Sequence, residues 1–406
     1  MTKRRRILLL LIALAMITFL DRIAIASAGP RIQQALHLSA SQWGWVLGAF
    51  ILAYGLFEIP TGAMGDRNGP RNVLTRIVIW WSAFTALTGA AFSFAPLLAT
   101  RFLFGAGEAG AYPNMAAVTA RWFPVKERAQ VQGFIWGASR FGGALAPLLV
   151  VPLQNWIGWR QTFVVLGGIG ALWVVAWRAW YPAAEEPTAP LLHRAAPYGR
   201  LLRAKQLWLI VVMYFCYAWG SWFFFGWFPV WLVKGAGFSE SEMAVFSALP
   251  FVLGAAGNVA GGFLSDRMVA AYGVKTARRL VGSGALIGSA TLLLLMSLTH
   301  NHAAIGVFSS LGFGIADLML PAAWALCLDI GGDHAGFVTG VMNSAGQFGG
   351  FVCSVLFGYV VQSTGSYQMP LRGVAAMVLI AALLFTRIDA SRPLLEPSYE
   401  TVAFPK

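Results

Sequence analysis

The sequence predicts an all-α membrane protein, with twelve transmembrane helices arranged as two pseudo-symmetric six-helix bundles. Three observations lead there. The chain of 406 residues is 58% hydrophobic and only 11% charged, with a mean hydropathy of +0.67, a balance foreign to soluble chains of this length. Apolar runs of about 20 residues, each enough to cross a bilayer core as a helix, recur twelve times. Short motifs also repeat between the two halves at a nearly constant offset.

The first run follows Lys3, Arg4, Arg5 and Arg6 and extends from Ile7 to about Ala28. It is longer than the apolar region of a signal peptide and ends in no convincing small-residue cleavage site, so it is read as span 1. The other runs lie roughly at 42–64, 73–92, 95–120, 130–153, 160–181, 206–232, 243–265, 277–299, 303–328, 335–361 and 370–388. The long interruption at 182–205, rich in Pro, Ala and charge, is expected to be a cytoplasmic linker between an N-terminal bundle (1–181) and a C-terminal bundle (206–406). Of the 29 Lys and Arg, only Arg31, Arg160, Lys234 and Arg372 fall on outer segments, and Arg22, Arg101 and Arg140 fall inside spans. The rest lie on the face that carries the N-terminus, which puts both termini in the cytoplasm.

The halves echo each other. Gly65-Asp66-Arg67 ends span 2 and Ser265-Asp266-Arg267 ends span 8; Phe104-Gly-Ala-Gly-Glu108 in span 4 returns as Phe313-Gly-Ile-Ala-Asp317 in span 10; a Phe-Gly-Gly sits in both span 5 and span 11. Three matches in one order argue for a duplicated six-helix unit, an architecture typical of secondary transporters.

Charge inside the membrane carries the functional reading. Asp21, Arg22, Glu58, Arg101, Glu108, Arg140 and Asp317 fall well inside spans, where ionisable groups are costly unless they serve a cavity or one another. At 1.5 Å per residue, Asp21 and Arg101 lie at similar depth, about 10 Å from the outer ends of their spans, and are expected to pair. Arg22 points about 100° away from Asp21 on the same helix and can face the cavity. Its planar guanidinium suits a carboxylate and stays charged at any working pH. Glu108 lies near the midplane with Tyr54, Arg140 and Asn343, and can carry a proton; Asp21 is a candidate second proton site. Tyr112 shares the face of Arg101 and Glu108, while Trp324 and Gln347 are further candidates for the cavity wall, each an even choice against ordinary packing. In the aromatic run from Tyr214 to Trp231, Tyr217 and Ser221 can reach the cavity. Glu58, close to the cytoplasmic end, is expected to snorkel or to pair with loop arginines. Asp66, Arg67 and Arg71, with Asp266 and Arg267 in the equivalent turn, form a candidate charge latch that opens with the cytoplasmic side.

Other classes fit less well. The net charge of +13 is scattered between apolar runs rather than gathered on a polar domain, so nucleic acid is not the partner. Cys216, Cys327 and Cys353 lie in apolar segments without metal-ligand or disulfide spacing, and no nucleophile–base arrangement or phosphate loop points to an enzyme. A proton-coupled exporter and a non-transporting membrane receptor remain as rivals; three interior arginines speak against a cationic substrate.

These residues resemble the major facilitator superfamily over the whole chain, through Gly65-Asp66-Arg67…Gly69…Arg71 and its degenerate copy after span 8. More narrowly, Asp21-Arg22, Tyr54, Arg101…Glu108 and Phe123-Pro…Glu127-Arg128-Ala129 are similar to the anion:cation symporter family, which includes bacterial sugar-acid carriers, sialin and the vesicular glutamate transporters. The resemblance implies proton-coupled uptake of a sugar acid or another carboxylate across the bacterial inner membrane; the chain is expected to work as a monomer, with no cofactor beyond the proton gradient. It assigns the substrate carboxylate to Arg22, a protonation site to Glu108, a gating or proton-linked pair to Asp21 and Arg101, and cavity-lining roles to Tyr54 and Asn343. Arg140 and Glu58 depart from the glutamines common at their positions. The added cation at Arg140 implies a dianionic or bulkier substrate, or an internal pair with Asp317.

Overall fold

The computed structural model describes residues 2–182 and 198–395, without the side chains at 59, 63, 65–68, 125, 126, 129, 198 and 333. The sequence reading of Asp66 and Arg67 as latch residues therefore lies outside the described side chains. The regular structure among the described residues is helical, the outcome forced by lipid, where a backbone must satisfy its own hydrogen bonds.

Six spans make up each half. The first three are α1 (Lys3–Ser27), α2 (Ala40–Asn68) and α3 (Pro70–Thr88), and α4 comes in two pieces, Phe94–Glu108 and Ala111–Trp122. The 56-residue helix Val125–Trp180 and the 59-residue helix Glu240–Leu298 would each be over ~80 Å long if straight, far beyond one bilayer core. Each instead breaks at one glycine, Gly158 (φ 82°) and Gly273 (φ 75°), and so supplies α5 with α6, and α8 with α9. The remainder are α7 (Lys205–Gly235, with π-helical turns at Phe223–Trp227 and Trp231–Gly235), α10 (His302–Asp317 and Met319–Gly331), α11 (Ala335–Thr364) and α12 (Gln368–Phe385).

The duplication inferred from motifs is written into the backbone. Ser39 and Gln42 close a capping box at the start of α2, and Ser239 with Glu242 closes the same box at the start of α8. The left-handed turn residues pair likewise: His37 with Gly237, Gly69 with Gly273, and Gly158 with Gly365. Turn chemistry of this kind is dictated locally, so its recurrence marks one unit used twice.

The halves meet tightly at the face opposite the termini. One apolar core fills the C-terminal half and continues into the outer parts of α1, α2, α5 and α6 through Ile25, Trp43, Val46, Val150 and Phe163. A second core, including Leu11, Ile77, Met115 and Trp177, belongs to the inner part of the N-terminal half; Ala218 and Trp222 are its buried members from the C-terminal half among the described residues. Polar contacts join the halves at the same face, the outer one in the orientation expected from the basic residues: Arg31 pairs with Glu240 at 2.7 Å, Lys234 donates to Gln33 at 3.0 Å and Trp45 donates to Tyr359 at 3.2 Å.

At the inner face the C-terminal segment is clasped to the bundle. Asp389 lies 2.7 Å from the Lys275 ammonium and accepts from Ser391 Oγ at 2.6 Å. The hydrogen bond from Lys275, then those from Ser391, hold its carboxyl below the usual range.

Candidate functional site

A cavity of about 310 Å³ lies between the halves near the midplane, at the small end of the ~300–1,000 Å³ typical of small-molecule sites. Its N-terminal wall carries Arg22 on α1 with Trp136 and Arg140 on α5; its C-terminal wall carries Tyr217 and Ser221 on α7, Trp324 on α10, and Asn343 and Gln347 on α11. Five residues read from the sequence as substrate-binding thus reach one chamber: Arg22, Arg140, Trp324, Asn343 and Gln347.

The acid facing Arg22 is placed by a break in α4. Glu108 is the last residue of the piece Phe94–Glu108, and Gly110 turns the chain with φ 85° before Ala111 resumes the helix. A Cβ on Gly110 would lie 2.7 Å from Thr61, and one on Gly105 would lie 2.3 Å from the Phe50 carbonyl, so the glycines let α4 press against α2. The C-terminal end of a helical segment is unfavourable for a carboxylate. Arg22 compensates it: Nε donates to Glu108 Oε1 at 3.1 Å and Nη2 makes a second, shorter bond to the same oxygen. The guanidinium is also held over the rings of Phe19 (4.9 Å) and Tyr54 (4.9 Å), a cation–π setting that suits a buried arginine.

Asp317 repeats the arrangement. It ends the piece His302–Asp317 of α10, and its Oδ2 lies 2.8 Å from Arg140 Nη2. Tyr217 donates to its Oδ1 at 3.4 Å. The internal pair considered for Arg140 is therefore present, and it joins α5 of one half to α10 of the other.

Several expectations are corrected. Asp21 and Arg101 form no ion pair within 4 Å. Asp21 faces α3, where Thr85 donates at 3.5 Å, and its Oδ1 has no hydrogen-bond partner among the described residues. Arg101 lies over Phe50 and Phe104 at 5.0 and 4.5 Å. Equal depth followed from residue number, but the rotation of each helix about its axis did not. Tyr54 and Tyr112 stand a layer behind the wall: Tyr54 supports Arg22, and Tyr112 stacks on Trp136 (4.8 Å, 11° between planes) and bonds Ser139 at 2.6 Å. Glu58 pairs with no arginine among the described side chains; it accepts from Asn343 Nδ2 at 3.0 Å, a bond between the halves.

The latch is also redrawn. Asp266 and Arg267 are exposed and pair with no described residue. The charge link of this turn runs instead through buried Arg278, which meets Asp329 at 3.0 Å and Ser265 Oγ at 2.5 Å. Arg71 caps the inner end of α6 by donating to the Arg178 carbonyl at 3.2 Å. Trp136, Phe19 and Asn258 line the cavity without having been singled out, because an aromatic or amide in an apolar span carries no signal of which way it points.

Comparison with known proteins places this geometry. The profile of the Major Facilitator Superfamily matches residues 11–354. The chain is 34% identical over 399 residues (94% of this chain, 92% of the other) to a probable sulfoacetate transporter of Cupriavidus necator. It is 30% identical over 407 residues (95% and 96%) to the hexuronate transporter of Bacillus subtilis. Its fold matches a bacterial homologue of the human lysosomal transporter Spinster with TM-score 0.81, at 19% identity and covering 96% of this chain and 97% of that one.

Proposed function

The chain belongs to the Major Facilitator Superfamily, within its anion:cation symporters, and is a multi-pass membrane transporter rather than an enzyme; we propose that it takes up a small organic anion with protons. The single observation that carries this is Arg22: a guanidinium on the wall of the inter-half cavity, paired to a carboxyl at a helix break. The names of the relatives supply the candidate substrates, which are sulfoacetate, hexuronates and, from a probable galactarate/D-glucarate transporter of Bacillus subtilis, sugar diacids.

In the cycle we propose, a proton on Glu108 releases Arg22, and the anionic head of the substrate takes the vacated position. An empty Arg22 beside an ionised Glu108 is self-compensated. Arg22 with a bound anion leaves Glu108 uncompensated in a dry site unless it is protonated. Substrate and proton are thereby obliged to travel together. Asp21, buried without a cation within ion-pair distance, is the second candidate for a proton, and Arg101 lies near enough to bias both acids. Asn343, tied to Glu58 across the halves, senses occupancy and closure together. The crowding of basic residues on the face that carries Lys3 to Arg6 supports cytoplasmic termini and a bacterial inner-membrane location, with the chain working as a monomer and the proton gradient as sole energy source. Contact between the halves at the face opposite the termini then corresponds to a carrier closed toward the outside.

Reconstituted vesicles test the reading. Accumulation of labelled sulfoacetate, a hexuronate or galactarate is expected only when a pH gradient is imposed, acid outside, and is abolished by a protonophore. Accumulation without a gradient, or none of any carboxylate or sulfonate, overturns it.

A further inference from the structure

We propose that the cavity is built for a two-headed anion: one acidic head takes Arg22 from Glu108, the other takes Arg140 from Asp317, and Asp317 then accepts a second proton. This rests on the anion-carrier reading above and specifies its substrate class.

The observation is that two guanidinia share one chamber and each is guarded by its own acid. Arg22 and Arg140 both line the cavity, whereas Glu108 and Asp317 do not and are fully buried behind them. Glu108 and Asp317 each close the first piece of a broken span. The duplication thus placed one acid in each half and one arginine against each, yet the pairs differ in one respect. Arg22 and Glu108 belong to the same half, whereas Arg140 and Asp317 belong to opposite halves. A guanidinium has five N–H donors; Arg140 lines the cavity and lies over Phe225 (5.5 Å) and Phe313 (5.3 Å), and the ion pair at 2.8 Å is its one polar contact with a described residue, which leaves donors for a ligand.

A buried ion pair is poor evidence of stability, since well-packed apolar side chains serve as well. A carrier of monoanions needs one arginine on its wall, and the second, with a buried acid of its own, would have no task there. An anion with two heads uses both. The surroundings of Asp317 then require the second proton. The titratable and charged groups that face it are Arg140 from α5 with Tyr217 and Tyr214 from α7. From α8, Gly254 presses so close that a Cβ there would lie 2.8 Å from Oδ2. Once Arg140 turns to the substrate, an ionised Asp317 keeps a single tyrosine hydroxyl in a site closed to water, and protonation compensates it. A dianion with two protons leaves the site at the same net charge as the empty form, so an inside-negative potential does not oppose entry.

The test uses two-headed acids and their monoamides, which keep size and lose one charge: malonate with malonamate, and sulfoacetate with carbamoylmethanesulfonate. Titration calorimetry of the purified full-length protein, in buffers of different ionisation enthalpy, reads affinity and proton uptake together. Wild type is expected to bind each dianion at least about tenfold tighter than its monoamide, as one extra charge-assisted contact allows, and to take up two protons with the dianion and one with the monoamide. Asp317→Asn is expected to lower the count for the dianion to one. Arg140→Gln is expected to bring the affinity ratio within about twofold, with Arg140→Lys intermediate because it keeps the charge and loses the fork. The wild-type comparison decides the matter even if a variant folds badly. Equal affinity for both members of each pair, or equal proton uptake, overturns the two-headed site while leaving the anion carrier standing. Failure of wild type to bind any of the four probes also overturns the two-headed site, while the vesicle assay with a hexuronate or galactarate decides the anion carrier separately.

Discussion

Glu108 and Asp317, 209 residues apart, hold one structural position in two copies: each is the last residue of the first helical piece of a broken span, and each meets an arginine from another helix. A carboxylate at a helical C-terminal end runs against the backbone dipole, so each site depends on its partner cation or on a proton. Glu108→Gln keeps the size and the break but cannot exchange a proton. We expect the variant to lose accumulation driven by a pH gradient while retaining substrate counterflow between equally loaded compartments. Full gradient-driven accumulation by the variant would remove Glu108 from the coupling step.

Arg22 is the group expected to contact substrate. Replacing it by alanine removes the charge-assisted bonds and strands Glu108, and binding is expected to fall by at least about a hundredfold. Arg22→Lys should recover little, because an ammonium reproduces neither the fork nor the stacking on Phe19 and Tyr54. Ligand-induced shifts of the unfolding temperature measure this; an undiminished shift in Arg22→Ala would move the anion site elsewhere.

The outer gate rests on backbone contact. A Cβ on Gly358 of α11 would lie 2.4 Å from the Ala40 carbonyl of α2, and one on Gly44 would lie 2.5 Å from the Ser354 carbonyl. Gly358→Val is therefore expected to prise the outer face apart and favour the outward-open form. A cysteine introduced at Ser41 reports this by labelling with a membrane-impermeant maleimide, against a low background because Cys216, Cys327 and Cys353 are buried. Labelling no faster than in the Ser41→Cys parent would mean that the contact does not hold the gate.

Arg31→Gln should act on the same gate more weakly. The pair with Glu240 is about one-third exposed, and such pairs contribute about 0.2–1 kcal/mol, a change in gate population of no more than about fivefold. A shift comparable to that of Gly358→Val would show that charge, not close packing, closes the outer face.

The inner clasp carries a pH signature. The folded protein holds the Asp389 carboxyl below its ordinary value, first through Lys275 and then Ser391. A depressed folded pKa stabilises at pH above the unfolded value, near ~3.9, and that stability is lost as pH falls toward the folded value. Asp389→Asn should lower the unfolding temperature at pH 7, with the deficit shrinking as the medium is acidified below about 4. A deficit independent of pH would assign the effect to packing rather than to charge.

Depth was legible and direction was not. Counting residues along α4, α5 and α11 put Glu108, Arg140 and Asn343 at one level, and the structure gathers them with Arg22 around one chamber or just behind its wall. The same counting paired Asp21 with Arg101, which turn instead to Thr85 and to Phe50 and Phe104. It also gave Tyr54 and Tyr112 to the wall, where they support Arg22 and Trp136. In the loops, the Asp-Arg motif after α8 drew attention to Asp266, yet buried Arg278 makes the contact with Asp329, since a site shielded from water favours a charge-assisted bond over an exposed one.

Composition, apolar run length and motif offsets were enough to determine a duplicated twelve-helix membrane protein with charge in its interior. Lipid permits few other backbones, and interior charge is too costly to arise without a use. Partner choice among those charges belonged to tertiary structure alone. Which arginine meets which acid, and that Arg140 reaches across the halves, depends on how each helix is rotated where Gly105, Gly110 and Gly254 let backbones and side chains close to contact. Such rotations come from packing between distant segments, which no local pattern of residues encodes.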